Sequence, residues 1–180
     1  MVDAGYFTKR VESKPDWLRA AAVREICSVS NCISEAPDGW VDRWVHNEFG
    51  WFNRIVDAVS AVPDDRRSVF RLFAYRLHPE VFRSYGRVAL IVPPDVKPDP
   101  IPPSFQTLGF DTVSKSTRGV LGFECSPLSC NALAEEWPVN EFCLFSSLGD
   151  AIAGAVRFAD EQPEPGAYFV VEVLALSATR

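Results

Sequence analysis

Residues 167–176, AYFVVEVLAL, form an apolar run whose only charge is Glu172, and no other segment constrains the fold as strongly. β-branched and aromatic side chains in unbroken succession suit a strand buried on both faces. Such a strand needs a hydrogen-bonding neighbour on either side and cover above and below. A chain that contains it must build a sheet around it.

Further strands are expected at 69–77 (VFRLFAYRL, ending at His78-Pro79), at 86–92 (GRVALIV), and at 107–114 and 119–125 around the polar turn 115–118. They follow one another without long helices between them, which favours antiparallel pairing over βαβ units. The clearest helix starts at Ser147 as N-cap, with Asp150 at its third position and Leu148, Ile152, Ala155 and Ala159 facing inward, and Pro163 stops it. A second is expected after Ser13-Lys14-Pro15-Asp16, burying Leu18, Ala22 and Ile26. A third runs from Asn53 with Ile55, Val59 and Val62 until Pro63, and Asn131 caps a short one through Trp137. Six prolines in residues 93–103 make that tract an extended surface crossing, or a polyproline ligand for a partner. No self-similarity with a period of 20–50 residues is evident, which excludes solenoids and propellers. The expectation is one α+β domain over residues 1–180. It has a single mixed or mostly antiparallel sheet of about five strands, packed by about two or three helices.

Two segments share the form Cys-Ser-x-x-polar-Cys: CSVSNC, holding Cys27 and Cys32, and CSPLSC, holding Cys125 and Cys130. Thiolates are soft anionic donors, and four of them around Zn²⁺ make a closed tetrahedral site. The four-residue spacer is at the permissive edge of known ligand spacings. A structural Zn²⁺ held by Cys27, Cys32, Cys125 and Cys130 is one reading; buried apolar thiols and a disulfide or redox pair are the others. The N-terminal residues lack the apolar core of a secretion signal, and no apolar run reaches membrane-spanning length. A cytoplasmic location, where thiols stay reduced, is expected.

The net charge of −6 disfavours general nucleic-acid binding. Residues 63–92 nevertheless carry six arginines against three carboxylates. Arg71 and Arg76 there are candidates for binding an anionic group, or are simply solvated. Residues 40–52 (WVDRWVHNEFGWF) hold three of the five tryptophans. Trp40, Trp44, His46, Asn47 and Trp51 are the candidate binding residues, as an interface or a pocket wall, against core packing as the alternative. Phosphate-binding, zinc-protease, nucleophile-elbow and calcium-loop motifs are all absent, so no catalytic residue is assigned.

The functional expectation is a non-catalytic cytoplasmic module that binds a protein partner, of the kind that neutralises a basic toxin. The alternatives are a small-molecule binder or enzyme with a tryptophan-lined pocket, and a zinc-stabilised interaction module.

Overall fold

The computed structural model describes residues 1–40, 45–116 and 122–176. In chain order the elements are β1 (Val2–Arg10), β2 (Glu12–Ser13), β3 (Glu25–Ile26), α1 (Ile55–Ser60), β4 (Phe70–Arg83), β5 (Gly86–Ala89), β6 (Phe105–Lys115), α2 (Pro127–Cys130), α3 (Leu148–Glu161) and β7 (Ala167–Leu176). The main sheet runs β1-β4-β7-β6, with β5 paired to the far end of β4, and every pairing is antiparallel. The fold is α+β with a five-stranded antiparallel sheet. β7 lies between β4 and β6 as its unbroken apolar sequence requires, and eight of its ten residues are buried.

Helix α3 forms as its cap residues dictate. The Ser147 hydroxyl accepts from the Asp150 amide at 3.1 Å and donates to the Asp150 carboxylate at 2.6 Å. Ala151, Gly154, Ala155, Phe158 and Ala159 are buried, while Leu148 and Ile152 are half-covered, so the inward face sits slightly to one side of that expected. Gln162, in the left-handed region at φ 50°, closes the helix before Pro163.

Elsewhere tertiary contacts override local preference. The stretch after Ser13 is not helical: Lys14 N donates to Arg24 O, and the Arg24 and Glu25 amides both donate to Glu141 O, so the segment doubles back. Leu18 and Ile26 are still buried, but Ala22 is exposed. β4 continues through Pro79, because its register with β7 shifts between Leu77 and Val81, where a missing N–H costs no ladder bond. Asn131 ends α2, and the short helix expected from it through Trp137 is a single 3-10 turn, Leu133–Glu135, that starts after Ala132. Residues 119–121 of the expected 119–125 strand lie outside the described residues; Glu124 and Cys125 flank β6 through two backbone bonds with Ser114 but form no named strand.

The sheet has an approximate two-fold axis that relates two halves of the chain. Asn47-Glu48-Phe49-Gly50-Trp51-Phe52 and Asn140-Glu141-Phe142-Cys143-Leu144-Phe145 share the pattern Asn-Glu-Phe-x-x-Phe and fold alike. Each Asn Nδ2 donates to a strand carbonyl, Ala4 at 2.9 Å or Leu108 at 2.7 Å, and each Oδ1 accepts two amides, from Phe49 and Trp51 or from Phe142 and Leu144. Phe52 exchanges two backbone bonds with Tyr6, and Phe145 does the same with Phe110. Gly50 and Cys143 occupy the same positive-φ position, at 75° and 60°. Thr8 and Thr112 donate to the carbonyls of Ala58 in α1 and Ala151 in α3.

The strands obey the same relation. β1 has a bulge before Gly5 and β6 one before Gly109, and their registers make Tyr75 of β4 equivalent to Val173 of β7. Tyr75 and Val173 are paired directly, with Ala74↔Leu174 and Arg76↔Glu172 on either side. The axis therefore passes through that pair. The order of units in each half is the same: bulged strand, Cys-Ser-x-x-x-Cys segment, Asn-Glu-Phe loop, helix, central strand. This repeat spans about half the chain, well outside the 20–50-residue periods of solenoid arrays. It also covers both outer strands of the sheet, since Phe52 and Phe145 pair with edges that otherwise present free ladder groups.

Gly154 tests the packing of α3. A Cβ there would lie 2.6 Å from Phe145 Cζ. Gly→Ala at an exposed helix interior stabilises by about 1 kcal/mol. Here Gly154→Ala is expected to destabilise by about 1–3 kcal/mol through overpacking. Urea denaturation reads the sign, and a raised midpoint contradicts the contact.

Candidate metal centre

Asp111 lies on β6 and is fully buried. Its carboxylate accepts from Ser28 Oγ at 2.9 Å, Val29 N at 2.8 Å, Ser126 Oγ at 2.6 Å and Thr112 N at 2.9 Å. Ser28 and Ser126 are the second residues of the two Cys-Ser segments, so a single carboxylate ties both loops to the sheet. Burial raises the Asp111 pKa, and these hydrogen bonds together with Lys9 oppose that rise.

Lys9 on β1 is 1% exposed. Its ammonium donates to Ser28 O at 2.7 Å, to Val29 O at 3.1 Å and to Ser30 O. The first loop is thus held by its carbonyls from Lys9 and by its donors from Asp111. Desolvation pulls the Lys9 pKa down to about 7, against the attraction of Asp111, Cys27, Cys32 and Cys130. Neither residue is suggested by local sequence, where a lone Lys or Asp in a strand ordinarily faces solvent. The repeated Cys-Ser pair was the available signal.

The two loops bring three sulfurs together. Sγ of Cys32, Cys125 and Cys130 all lie within 4.8 Å of one another, with Cys32 exposed and the other two half-buried. Cys32 Sγ is 3.1 Å from Cys125 Sγ and 3.1 Å from Glu124 O. Ser30 Oγ reaches Cys130 Sγ at 3.6 Å and accepts from Cys32 N at 3.2 Å. Burial raises the pKa of both Cys125 and Cys130, and their neighbouring thiols add to it.

Cys27 is not a member of the cluster, which corrects the expected four-sulfur arrangement. It is 2% exposed and its sulfur accepts from Arg71 Nη1 at 3.7 Å. Pinning Ser28 and Val29 from both sides leaves Cys27 on the Arg71 side. Burial drives its thiol up to about 12. The consequence for chemistry is direct: four thiolates would close a zinc shell, whereas three leave a position open.

The donor set fits a thiophilic cation. Zinc–sulfur bonds of about 2.3 Å place tetrahedral sulfurs roughly 3.8 Å apart, within reach of small side-chain rotations here. Among the described residues no His, Asp or Glu joins the three cysteines as a fourth ligand.

The expected binding residues lie elsewhere. Trp51 is 3% exposed and stacks among Phe49, Tyr75 and Phe123, and Asn47 is spent on the loop bonds described above. Trp40 is half-buried against Phe7, with its ring 5.8 Å from the His46 ring. Trp44 lies outside the described residues. Arg71 pairs with Glu25 at 3.0 Å, and Arg76 pairs with Asp3 at 2.8 Å and Glu172 at 3.3 Å. The arginines expected to hold an anion thus already have carboxylate partners. A cleft of about 610 Å³ is lined by residues including Arg83, Tyr85 and Glu124, and among the described residues of 40–52 none lines it. No helix among the described residues is long and apolar enough to cross a membrane.

Lys9 makes the network sensitive to pH. Its folded pKa of about 7 lies below the ordinary 10.5, so between these values the unfolded chain binds more protons. Its contribution is therefore unfavourable at and below neutral pH, and stability rises as pH climbs through that window. The raised pKa values of Cys27 and Cys143 act the other way at alkaline pH. The expected result is that wild type gains stability relative to Lys9→Met between pH 7 and 9 in denaturant titrations. A flat difference would show that Lys9 is not desolvated.

No protein-family model, curated protein or solved structure matches this chain.

Proposed function

We propose that this protein is a cytoplasmic module that binds a thiophilic metal ion, with Zn²⁺ as the default, through Cys32, Cys125 and Cys130. The observation that carries this reading is the convergence of three thiols, from both halves of the chain, within 4.8 Å at the surface. Thiolate sulfur selects soft or borderline cations, so Mg²⁺ and Ca²⁺ are poor candidates. The Asp111 and Lys9 contacts position the loops before the metal arrives, which lowers the ordering cost of binding.

Three protein ligands plus an open position is also the pattern of catalytic zinc. Three thiolates, however, give the ion a net negative environment, and no His, Asp or Glu among the described residues stands within the cluster. The open position then serves to accept a further donor. The expected protein partner enters here in narrower form, as the source of a thiolate or imidazole that completes the shell on the exposed Cys32 side.

Metal titration tests the reading. Reduced protein is expected to bind about one Co²⁺ per chain with the intense thiolate charge-transfer absorption of a sulfur-ligated ion. Each of Cys32→Ser, Cys125→Ser and Cys130→Ser should abolish stoichiometric binding, while Cys27→Ser and Cys143→Ser retain it. Ser126→Ala, which frees one Asp111 contact, should weaken binding by about 10–100-fold. Absence of binding, or equal sensitivity to Cys27→Ser, would overturn the proposal.

A further inference from the structure

The 3.1 Å contact between Cys32 and Cys125 places two thiols from opposite halves of the chain almost at bonding distance, with a third within 4.8 Å. Metal ligation and disulfide formation compete for the same sulfurs, because a sulfur in a disulfide has no thiolate lone pair to give a cation. From this geometry we infer that Cys32 and Cys125 form a reversible disulfide that crosslinks the two halves and releases the metal. The crosslink stands on the sulfur positions alone; the release of metal rests on the metal-centre reading above.

Exposure sets the order of events. Cys32 is exposed, whereas Cys125 is half-covered and Cys27 and Cys143 are buried. A small-molecule disulfide, R–S–S–R, therefore meets Cys32 first. The Cys32 thiolate attacks one sulfur, forming Cys32–S–S–R and expelling RS⁻. Cys125 then attacks Cys32 Sγ and expels the second RS⁻. The two protons lost by Cys32 and Cys125 leave with the two RSH molecules, and two electrons pass from the protein to the small disulfide. A small thiol in excess reverses both steps. Cys130, beside the pair, is left as a free thiol that a crosslinked chain cannot use to hold a metal by itself.

The fold accommodates this closure without rearrangement of the sheet. Ser28 and Val29 on one side and Ser126 on the other are fixed to Asp111, so Cys32 and Cys125 sit on loops whose bases do not move relative to each other. Cys27 is excluded by its burial beside Arg71, and Cys143 by its place in the core under α3.

The test uses the full chain, reduced and freed of metal, then exposed to oxidised glutathione. Two of the five thiols should be lost without a retained glutathione adduct, and peptide mapping should join Cys32 to Cys125. Cys130→Ser should form the same crosslink. Cys125→Ser should stop at a glutathione adduct on Cys32, which shows the order of attack even if that variant is less stable. In the zinc-loaded protein, zinc release to a coloured chelator should track the loss of the two thiols. A folded protein that keeps all its thiols, or one whose main crosslink joins other cysteines, overturns the inference. Crosslinking with no zinc bound at any stage removes the metal-release half and the metal reading, but leaves the thiol pair as assigned.

Discussion

One buried carboxylate holds this architecture's two halves in register on one face. Asp111 accepts hydrogen bonds from Ser28 and Val29 of the first half and from Ser126 of the second, and Lys9 clamps the same first loop through its carbonyls. A charge this deep is costly unless its hydrogen-bonding capacity is filled, and here four donors fill it. The positions of Cys32, Cys125 and Cys130 follow from that arrangement. A carboxylate or ammonium removed on its own leaves its partners orphaned in the interior, so the pair specifies the loop geometry as well as tolerating it.

The approximate two-fold axis explains features that look idiosyncratic in either half alone. Cys143 adopts a left-handed conformation that a non-glycine residue ordinarily avoids, and its equivalent is Gly50. The paired bulges at Gly5 and Gly109 let the Asn-Glu-Phe loops approach closely: a Cβ at either would fall within 2.9 Å of the loop. The cysteine cluster and the polar pair beneath it lie where the symmetry breaks. Strand registers make Phe7 equivalent to Asp111 and Lys9 equivalent to Val113, so the polar pair is supplied once, not twice. The same asymmetry separates Cys27, turned to Arg71, from its equivalent Cys125, turned to the cluster.

A site built across two halves responds to anything that shifts them. Metal bound by one sulfur from the first half and two from the second would stabilise the assembled form by mass action. A disulfide between the halves would do so by limiting the unfolded chain. Both proposals draw on the same loops, and the exposure of Cys32 makes that sulfur the entry point for either ligand or oxidant.

Elements whose signal is local and undivided are legible in the sequence alone. β7 could be read because ten consecutive residues with one charge leave few alternatives, and α3 because its cap, inward face and stop agree. The antiparallel α+β class followed from the order of those elements. The cysteine segments were legible as a pair, but not which three sulfurs would meet. Ligand convergence depends on how Lys9 and Asp111 turn the first loop, and these lie 19 and 83 residues from Ser28 in the chain. The strand at the N-terminus and the doubled-back segment after Ser13 were decided by partners far away, Phe52 for one and Glu141 for the other. The aromatics of residues 40–52 suited recognition or core packing equally in the sequence; Trp40, Phe49, Trp51 and Phe52 pack in the core, because only the assembled sheet shows which face of a loop remains in water.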